Sequence, residues 1–287
     1  MQAMATMIVR FKASSPVPQI VGEVAVSSYP AKVIQVKQRR CATAYDRSRT
    51  VLVQWHRRAM KQRTLLVQRL GRVEYGAALV LQKEMERAVQ SGEQPDTLLL
   101  LEHPHVITIG RRGDSAGVIM PAEILEARGV VVFETNRGGK NTYHGLGQIV
   151  GYPIINLSPD RQDVHRFVRD LEEVLIRALS DFGIEAFRIQ GLTGVHTTQG
   201  KVAAIGVHIA RWVTTHGFAL NVNTDLGFFD LIVACEGEPV TSMKELLGHD
   251  VNVMAVEDRI IARFVEVFEM EFSHGGTEAR RTETVTA

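Results

Sequence analysis

The clearest pattern in the chain is helical. Over residues 163–182, apolar side chains recur every three or four positions, and Gly183 follows directly. This spacing is typical of an amphipathic helix that ends at a left-handed glycine. Residues 75–91 show the same spacing more weakly and end before Gly92. We therefore predict a helix over each of these two ranges.

Three further helical segments are weaker. Residues 121–128 begin with Pro121, which suits the first turn of a helix. Ser242 and Glu245 have the spacing of a capping box and predict a short helix after Ser242. A last helix is predicted over 253–272.

Short apolar, β-branched runs separate these helices. They predict strands over 97–102, 106–110, 129–134, 149–157, 201–210 and 215–222. Pro153 interrupts one of these runs, which predicts a strand that is bent or lies near a sheet edge. Together the pattern predicts an α/β (α+β) fold. It consists of one domain over 64–272, with a mixed, largely antiparallel sheet flanked by helices, and a polar tail over 273–287.

Composition narrows the class of protein. The 287 residues are 45% hydrophobic and 23% charged, with a formal net charge of +1. These values predict a folded chain, and a whole-chain nucleic-acid binder would be far more basic. No apolar run approaches the roughly 18 residues of a membrane helix. The two cysteines, Cys41 and Cys235, exclude a disulfide framework and a cysteine-based zinc ribbon. We expect a soluble protein of a reducing compartment, with no metal.

The near-neutral net charge conceals an uneven distribution. Residues 1–63 hold twelve Lys and Arg but only two acids, Glu23 and Asp46. Three interpretations of this basic N-terminal extension remain open: an organelle transit peptide, a basic arm that contacts an acidic partner, or a poorly ordered segment upstream of a true start at Met60. We expect a cytoplasmic protein, with import into an organelle as the alternative.

A glycine-rich block is the first sign of chemistry. Residues 137–148 contain four glycines between two predicted strands, together with several side-chain donors. Glycine lets a backbone approach a ligand closely, so this block could hold a carbonyl, a phosphate or the thioester end of a carrier. It lacks the Gly-Lys-Ser/Thr of a Walker loop. A structural glycine-rich hairpin is the alternative.

Two reactive side chains follow. Lys201 opens an otherwise apolar strand; it is either a strand-end charge in water or, if it lies in a cleft, a group that can move protons. Cys235 ends the apolar run 231–234. It is either a buried, inert cysteine or a reachable nucleophile, which needs a nearby cation to form a thiolate.

Four blocks in order carry a resemblance to a known family. They are RGGKNTYHGLGQ from Arg137, GKVAAIGV from Gly200, THGFALNV from Thr215 and the strand before Cys235, and Glu102-His103-Pro104 lies upstream. This arrangement resembles the lipoyl(octanoyl) transferase family over about residues 64–272. The resemblance implies a lipoate/biotin protein ligase-like fold and an acyltransferase without a cofactor.

The resemblance also implies the reaction and its residues. An octanoyl group passes from octanoyl-acyl carrier protein to a lysine of a lipoyl domain, in 2-oxoacid dehydrogenases or the glycine cleavage H protein, as the first step of lipoate synthesis. Cys235 forms the acyl-thioester, and Lys201 lowers its pKa. The implied substrate-binding residues are Arg137, Gly138, Gly139, Lys140, Asn141, Thr142, Tyr143, His144, Ala204, Ile205, Gly206, Gly217, Phe218 and Ala219. Neither nucleic acid nor a membrane is an implied partner.

The sequence departs from the family pattern at three places. Leu146 replaces a proline, His196 replaces a tryptophan, and Ala234-Cys235-Glu236 replaces Pro-Cys-Gly. None removes an implied catalytic group. Because a carboxylate facing the thiol would raise its pKa, we predict that Glu236 points away from the sulfur.

Several other cationic and polar side chains could contact the substrates. Arg111, Arg112, Arg137 and Lys140 could meet acidic carrier proteins, giving salt-sensitive binding. His144 could either donate to the substrate carbonyl or brace the loop.

Three other functions remain open at this stage. An ATP-dependent lipoate or biotin ligase would adenylate a free acid and need no cysteine. A cysteine thioesterase would release free octanoate. A non-catalytic module would bind carriers and leave both Cys235 and Lys201 inert.

The origin of the basic extension has a direct test. If Met60 is the true start, mass spectrometry of the native protein should find an N-terminus at or just after residue 60 and no upstream peptides. A transit peptide would give a processed N-terminus that does not follow a methionine. Recovery of the intact extension would contradict both and leave the basic arm.

Overall fold

The computed structural model describes residues 6–9, 22–26, 34–38, 51–53, 63–233 and 238–274. The chain divides into two compact units, Met1–Lys61 and Gln62–Ala287. In the first unit, four strands pair in sequence order as an antiparallel sheet. They are β1 (Thr6–Val9), β2 (Gly22–Val26), β3 (Ile34–Gln38) and β4 (Val51–Val53). The three interpretations of this segment remain predictions.

A seven-stranded mixed sheet forms the centre of the second unit. Its strands are β5 (Thr64–Arg72), β6 (Asp96–Glu102), β10 (Gln148–Ile154), β11 (Val195–Thr197), β12 (Gly200–Ala210), β13 (Val213–Asn221) and β14 (Glu271–His274). Their order is β11-β12-β13-β10-β6-β5-β14. Strand β5 runs parallel to both β6 and β14, and the other pairs are antiparallel. The predicted mixed, largely antiparallel sheet is therefore confirmed.

A second, smaller sheet lies in the same unit. Its central strand β7 (Val106–Ile109) pairs parallel with β8 (Val131–Glu134) and antiparallel with β9 (Asn141–His144). Strand β9 falls inside the glycine-rich block, where the sequence predicted only a loop between strands. The small sheet thus fixes the second half of that block.

Helices cover both faces of the large sheet. They are α1 (Tyr75–Ser91), α2 (Ala122–Ala127), α3 (Val164–Ser180), α4 (Met243–Leu247) and α5 (Val253–Phe268). The larger core packs α3 and α5 against one face, and a smaller core packs α1 against the other. Strand β6 shows why its sequence is a continuous apolar run: Leu98 and Leu100 enter the larger core, while Leu99 and Leu101 enter the smaller one.

The predicted helices are largely confirmed. Helix α1 has the predicted bounds and ends at Gly92, which has a φ of 78°. Helix α3 begins after Asp163, whose side chain accepts a hydrogen bond from the Arg166 amide. It ends at Ser180, two residues earlier than predicted. Ser242 caps α4 as predicted, since it accepts from the Glu245 amide.

The C-terminal prediction was wrong in part. The last helix ends at Phe268, and Glu269 takes a left-handed conformation with a φ of 55°. The chain then forms β14, which pairs parallel with β5 and includes the first two residues of the predicted tail. The sequence did not reveal where the helix ends, because Met270 and Phe272 continue the apolar pattern of the helix beyond Phe268. Residues 275–287 lie outside the described residues.

Pro153 corrects a second prediction. Strand β10 is central rather than near an edge, between β13 and β6. Its pairing with β13 ends at Gly151, which lies opposite Phe218. Pro153 therefore lies beyond that ladder, where its missing N–H removes no hydrogen bond to β13. The Thr214 hydroxyl donates to the Pro153 carbonyl at 2.6 Å.

Across the described part of the chain, no helix combines the length and apolar character needed to cross a membrane.

The larger core gives a stability prediction. Leu171 in α3 is fully buried, whereas Val164 on the same helix is 42% exposed. Leu171→Ala should lower the free energy of unfolding by about 2–5 kcal/mol, because it leaves a cavity among packed side chains. The matched change Val164→Ala should alter it by less than about 0.5 kcal/mol. Urea unfolding checks both, and equal effects would contradict this assignment of the core.

Candidate active site

A groove lies on the face of the sheet that α1 covers. Its empty volume is about 880 Å³, counted to its open mouth. Thirteen of the predicted site residues line it: Arg137, Gly139, Lys140, Asn141, Thr142, His144, Lys201, Ala204, Ile205, Gly206, Gly217, Phe218 and Ala219. The three separate sequence blocks therefore meet at one site.

Small residues form the floor of the groove. Ala204 pairs with Ala219, and Gly206 pairs with Gly217, across the β12–β13 ladder. Because side chains alternate along a strand, these four residues share one face. Their small side chains leave open space above two paired strands in the middle of an otherwise filled sheet.

The glycine-rich block lies directly on β12. The Gly138 amide donates to the Val207 carbonyl at 3.0 Å. A Cβ on Gly206 would come within 2.6 Å of the Gly138 carbonyl oxygen, so only glycine permits this approach. Gly138 itself is not among the lining residues; it holds the loop against the strand. The glycine-rich block thus forms one wall of the groove.

Arg137 fixes the start of that loop. Its side chain is 7% exposed. The guanidinium donates to the Thr108 carbonyl at 2.6 Å and to the Thr108 hydroxyl at 2.8 Å. It also donates to the Gly138 carbonyl at 3.0 Å. The sequence had suggested that Arg137 could meet a carrier protein at the surface. The structure instead buries this side chain, which lines the groove.

Tyr143 points away from the groove. It is fully buried in a third core cluster, and its hydroxyl lies 2.6 Å from His105 Nδ1. Its ring stacks on Phe228 at a centroid distance of 5.0 Å. Alternation along β9 explains this, because Tyr143 lies on the face opposite to Thr142 and His144. Tyr143 supports the loop rather than lining the site.

A β-bulge aims Lys201 into the groove. Val195 pairs with Ala203, but the next residue, His196, pairs with Lys201, so Val202 is an extra residue on β12. Strict alternation would place Lys201 on the same face as Ala203, in the larger core. The bulge reverses this, and Lys201 and His196 lie together on the groove side.

Lys201 is not a strand-end charge in water. Its side chain is 12% exposed, and Nζ lies 2.7 Å from Oε2 of Glu238. The same carboxylate oxygen lies 3.4 Å from His196 Nε2. Burial tends to raise the pKa of Glu238, but the hydrogen bonds and charges of Lys201 and His196 outweigh it and lower the pKa. Glu238 is therefore an ionised partner of the lysine.

The segment after the predicted nucleophile is pinned to the start of β12. The Lys201 amide donates to the Pro239 carbonyl at 2.8 Å, and the Thr241 amide donates to the Lys201 carbonyl at 3.0 Å. Cys235 and its neighbours, residues 234–237, lie outside the described residues. The predicted orientation of Glu236 and the predicted contact between Cys235 and Lys201 therefore remain predictions.

His144 braces the groove. Its Nδ1 lies 2.8 Å from Gln148 Oε1. The Gln148 amide nitrogen donates to the Tyr143 carbonyl and to Asn221 Oδ1, so its oxygen faces His144. Nδ1 must then carry the proton, and Nε2 is an acceptor. Burial, with the charges of neighbouring residues, lowers the pKa of His144 to about 3. This neutral tautomer favours the bracing role over donation to a substrate.

A second buried histidine carries backbone strain. His216 has a φ of 55°, in the left-handed region that β-strand residues avoid. Its amide donates to Gln82 Oε1 of α1 at 2.7 Å, and its Nε2 lies 2.8 Å from Asn136 Oδ1. Burial lowers its pKa to about 3. These contacts hold the strand in place where it turns Gly217 toward the groove.

The sequence missed ten lining residues: Tyr75, Gln148, Val150, Tyr152, Thr193, His216, Asn221, Phe229, Glu238 and Val240. Gln148 and His216 lay inside quoted blocks and carried a signal, since buried polar side chains in strands need partners. Tyr152 hydrogen bonds to His103, its hydroxyl 2.7 Å from Nε2. No pattern in the sequence pointed to Thr193 or Glu238.

Among the residues that the structure describes, no three His, Cys, Asp or Glu side chains are grouped so as to hold a metal ion.

The buried histidines predict a loss of stability in acid. Burial lowers the pKa of His103 to about 4 and that of His144 to about 3. Because the unfolded chain protonates near pH 6.5, it binds more protons than the folded chain below that pH. Stability therefore falls as the pH drops from about 6.5 towards 3.

Urea unfolding of His144→Gln should show how much of this acid destabilisation comes from His144. The stability difference between pH 7 and pH 5 should shrink by on the order of 2 kcal/mol. The matched change at the exposed His249 should leave that difference intact. An unchanged difference in His144→Gln would contradict the assignment of a neutral, buried imidazole.

Comparisons with known proteins identify the family of this chain. Residues 74–265 match the family model described as "Lipoyl protein ligase A/B catalytic domain". An octanoyltransferase of Solibacter usitatus is 48% identical over 218 residues, which cover 76% of this chain and 99% of that protein. An octanoyltransferase of Roseiflexus sp. is 47% identical over 214 residues, covering 73% and 89%.

A solved structure shows the same fold. A chain in the structure of a bi-partite lipoate protein ligase and its E2 lipoyl domain from Thermoplasma acidophilum has a TM-score of 0.59. It is 19% identical, and the match covers 74% of this chain and 86% of that one. The fold predicted from the resemblance is thereby confirmed, and the chain belongs to the lipoyl protein ligase A/B catalytic domain family and, within it, to the octanoyltransferases.

Proposed function

We propose that this octanoyltransferase takes an octanoyl group from octanoyl-acyl carrier protein onto Cys235 as a thioester, and then transfers it to a lysine of a lipoyl domain. The relatives' names support octanoyl transfer as the activity. The donor, the thioester and the acceptor are those that the resemblance to the family implies, and the groove supports them with an amine and an open channel over the sheet. The single observation that carries the proposal is the Lys201 amine, which lies in the groove in contact with Glu238, three residues after Cys235 in the chain.

Covalent geometry supports the approach of the thiol to this amine. Cys235 precedes Glu238 by three residues, and consecutive Cα atoms lie about 3.8 Å apart. The Cα of Cys235 is therefore at most about 11 Å from that of Glu238, whose carboxylate contacts Lys201 Nζ. On the other side, the Val233 amide donates to the Gly117 carbonyl at 2.8 Å. Both ends of the short segment are thus anchored.

The groove suits an extended acyl chain. Its floor of Ala204, Gly206, Gly217 and Ala219 leaves a channel over the sheet, and Val150 lies beside Ala219 on the same face. Each methylene buried there stabilises the bound acyl chain by about 0.8 kcal/mol. An eight-carbon chain gains most of its binding energy in this way.

The first half-reaction needs a thiolate and a proton donor. The Cys235 thiolate attacks the carbonyl carbon of the octanoyl-carrier thioester, forming a new C–S bond as the bond to the carrier sulfur breaks. Lys201, as an ammonium, gives a proton to the departing carrier thiolate. The products are octanoyl-Cys235, the free carrier thiol and a neutral Lys201 amine.

The second half-reaction uses the same amine in reverse. The neutral amine of a lipoyl-domain lysine attacks the thioester carbonyl, and the C–S bond to Cys235 breaks. Lys201 accepts the proton that the new amide nitrogen loses, which restores both the ammonium and the thiolate. One group acting in both directions fits a ping-pong scheme.

Exposed cations around the groove suit acidic protein partners. Arg111, Arg112 and Lys140 are exposed, and Lys140 also lines the groove. Their charges favour association with acidic surfaces, an attraction that salt weakens. A lipoyl domain is the acceptor in this scheme, since the Thermoplasma acidophilum ligase was solved with its E2 lipoyl domain.

Intact-protein mass spectrometry tests the proposal. After mixing with octanoyl-carrier, the protein should gain the mass of one octanoyl group in place of one hydrogen, on the peptide that contains Cys235. A lipoyl domain added afterwards should remove that mass and gain it on one lysine. Cys235→Ser should abolish both signals, because a serine hydroxyl at neutral pH is a far weaker nucleophile.

The chain provides its own control in Cys41→Ser, which should behave as the unchanged protein. Absence of an adduct on Cys235 under turnover conditions would contradict the thioester. Activity of Cys235→Ser with ATP and free octanoate would identify an ATP-dependent ligase instead. Release of free octanoate without acceptor labelling would identify a thioesterase.

A further inference from the structure

Lys201 shares its carboxylate with a second, buried side chain. Oε2 of Glu238 lies 2.7 Å from Lys201 Nζ and 3.4 Å from His196 Nε2. The three side chains are 12%, 17% and 3% exposed in the order Lys201, Glu238, His196. This three-member cluster lies at the groove but includes two residues to which the proposed reaction assigns no role.

The fold builds the cluster from three segments. Lys201 and His196 face the same side because they pair across the β11–β12 bulge. Glu238 joins them because the next residue, Pro239, accepts a hydrogen bond from the Lys201 amide. Backbone pairing therefore fixes the positions of the three Cα atoms, so that the side chains lie close together from the start of each side chain.

His196 acts as a neutral donor in this cluster. Burial and the charge of Lys201 lower its pKa, although Glu238 and Glu172 act in the opposite direction. An ionised carboxylate only accepts hydrogen bonds, so the proton of the neutral ring lies on Nε2, towards Glu238. Among the described residues, the buried Nδ1 has no hydrogen-bond partner. The ring is thus turned so that its donor serves the carboxylate.

We propose that Glu238 is a positioning residue for Lys201: its carboxylate holds the amine in the groove as an ammonium, and neutral His196 holds the carboxylate in place when that amine loses its proton. This inference rests on the function proposed above, because it assigns a cause to the two protonation states that Lys201 takes. Glu238 contacts neither the thioester nor the attacking nucleophile in this scheme; it acts through Lys201.

The two half-reactions give the inference a measurable consequence. Formation of octanoyl-Cys235 needs the ammonium form of Lys201, which the adjacent carboxylate stabilises. The alkaline limb of that step, where its rate falls with rising pH, therefore depends on the charge of Glu238. A residue with a merely structural role would change the height of the profile and leave its limbs in place.

The test is the pH profile of acyl-enzyme formation in single-turnover mass spectrometry. Glu238→Gln keeps a carbonyl oxygen that can accept from Lys201 but removes the charge. Its alkaline limb should move to lower pH by roughly one unit, the low end for an opposite charge at this distance, since the pair is partly exposed. Glu238→Asp, which keeps the charge, should leave the limb close to that of the unchanged protein.

An exposed ion pair of similar length provides the matched control. Lys244 Nζ lies 2.8 Å from Asp250 Oδ1, with side chains 52% and 75% exposed. Asp250→Asn should leave the limb unmoved.

Two results for Glu238→Gln would overturn the inference: a profile identical to that of the unchanged protein, or a rate lowered evenly at every pH. If Glu238→Gln fails to fold, a limb displaced in Glu238→Asp as far as one unit would overturn it equally. Failure of the unchanged protein to form octanoyl-Cys235 would instead refute the proposed function, so the two failures are distinguishable.

Discussion

One extra residue in β12 determines which face of the sheet carries the Lys201 side chain. Without the bulge at Val202, Lys201 would share a face with Ala203 and project into the larger core, where an unpaired ammonium is strongly destabilising. With it, the amine reaches the groove and meets Glu238, while Val202 itself packs in the core. Bulges are common where a strand must re-aim a side chain beside an active site. The remaining features of the groove provide space and support around that one redirected amine.

Space comes from glycine and alanine residues, and support comes from neutral, buried polar groups. Gly206 lets the Gly138 carbonyl lie on β12, and the Ala204–Ala219 pair keeps the floor low. Around this floor, His144 and His216 hydrogen bond as neutral rings, so they brace strands without adding positive charge beside Lys201. Arg137 is the buried cation that faces the groove from the loop side. Lys201 itself forms its ion pair with Glu238.

Local patterns predicted most of the fold, and the resemblance to the family implied about half of the residues that line the groove. Helices α1 and α3 and strands β12 and β13 could be predicted because each has a regular apolar pattern, which is strongest in α3. Strand β14 could not be predicted, since Met270 and Phe272 also fit the apolar pattern of a helix. The left-handed conformation of Glu269, which ends the helix, is not visible in that pattern. The place of Glu238 in the groove could also not be predicted. It depends on backbone hydrogen bonds between residues 239–241 and Lys201, which no local sequence pattern indicates. Histidine in place of the family's tryptophan at position 196 could be interpreted only from the structure, which places its ring beside the Glu238 carboxylate.

The central claim is that the Cys235 thiol and the Lys201 amine form one reactive pair at the end of the groove. A crystal structure of the octanoyl-enzyme measures this directly, through the distance from Cys235 Sγ to Lys201 Nζ. The account predicts roughly 3–4 Å, close enough for the neutral amine to accept a proton at the reacting centre, with the acyl chain over Ala204 and Ala219. A sulfur enclosed in the core, or one farther from Nζ than a side chain can span, would contradict it.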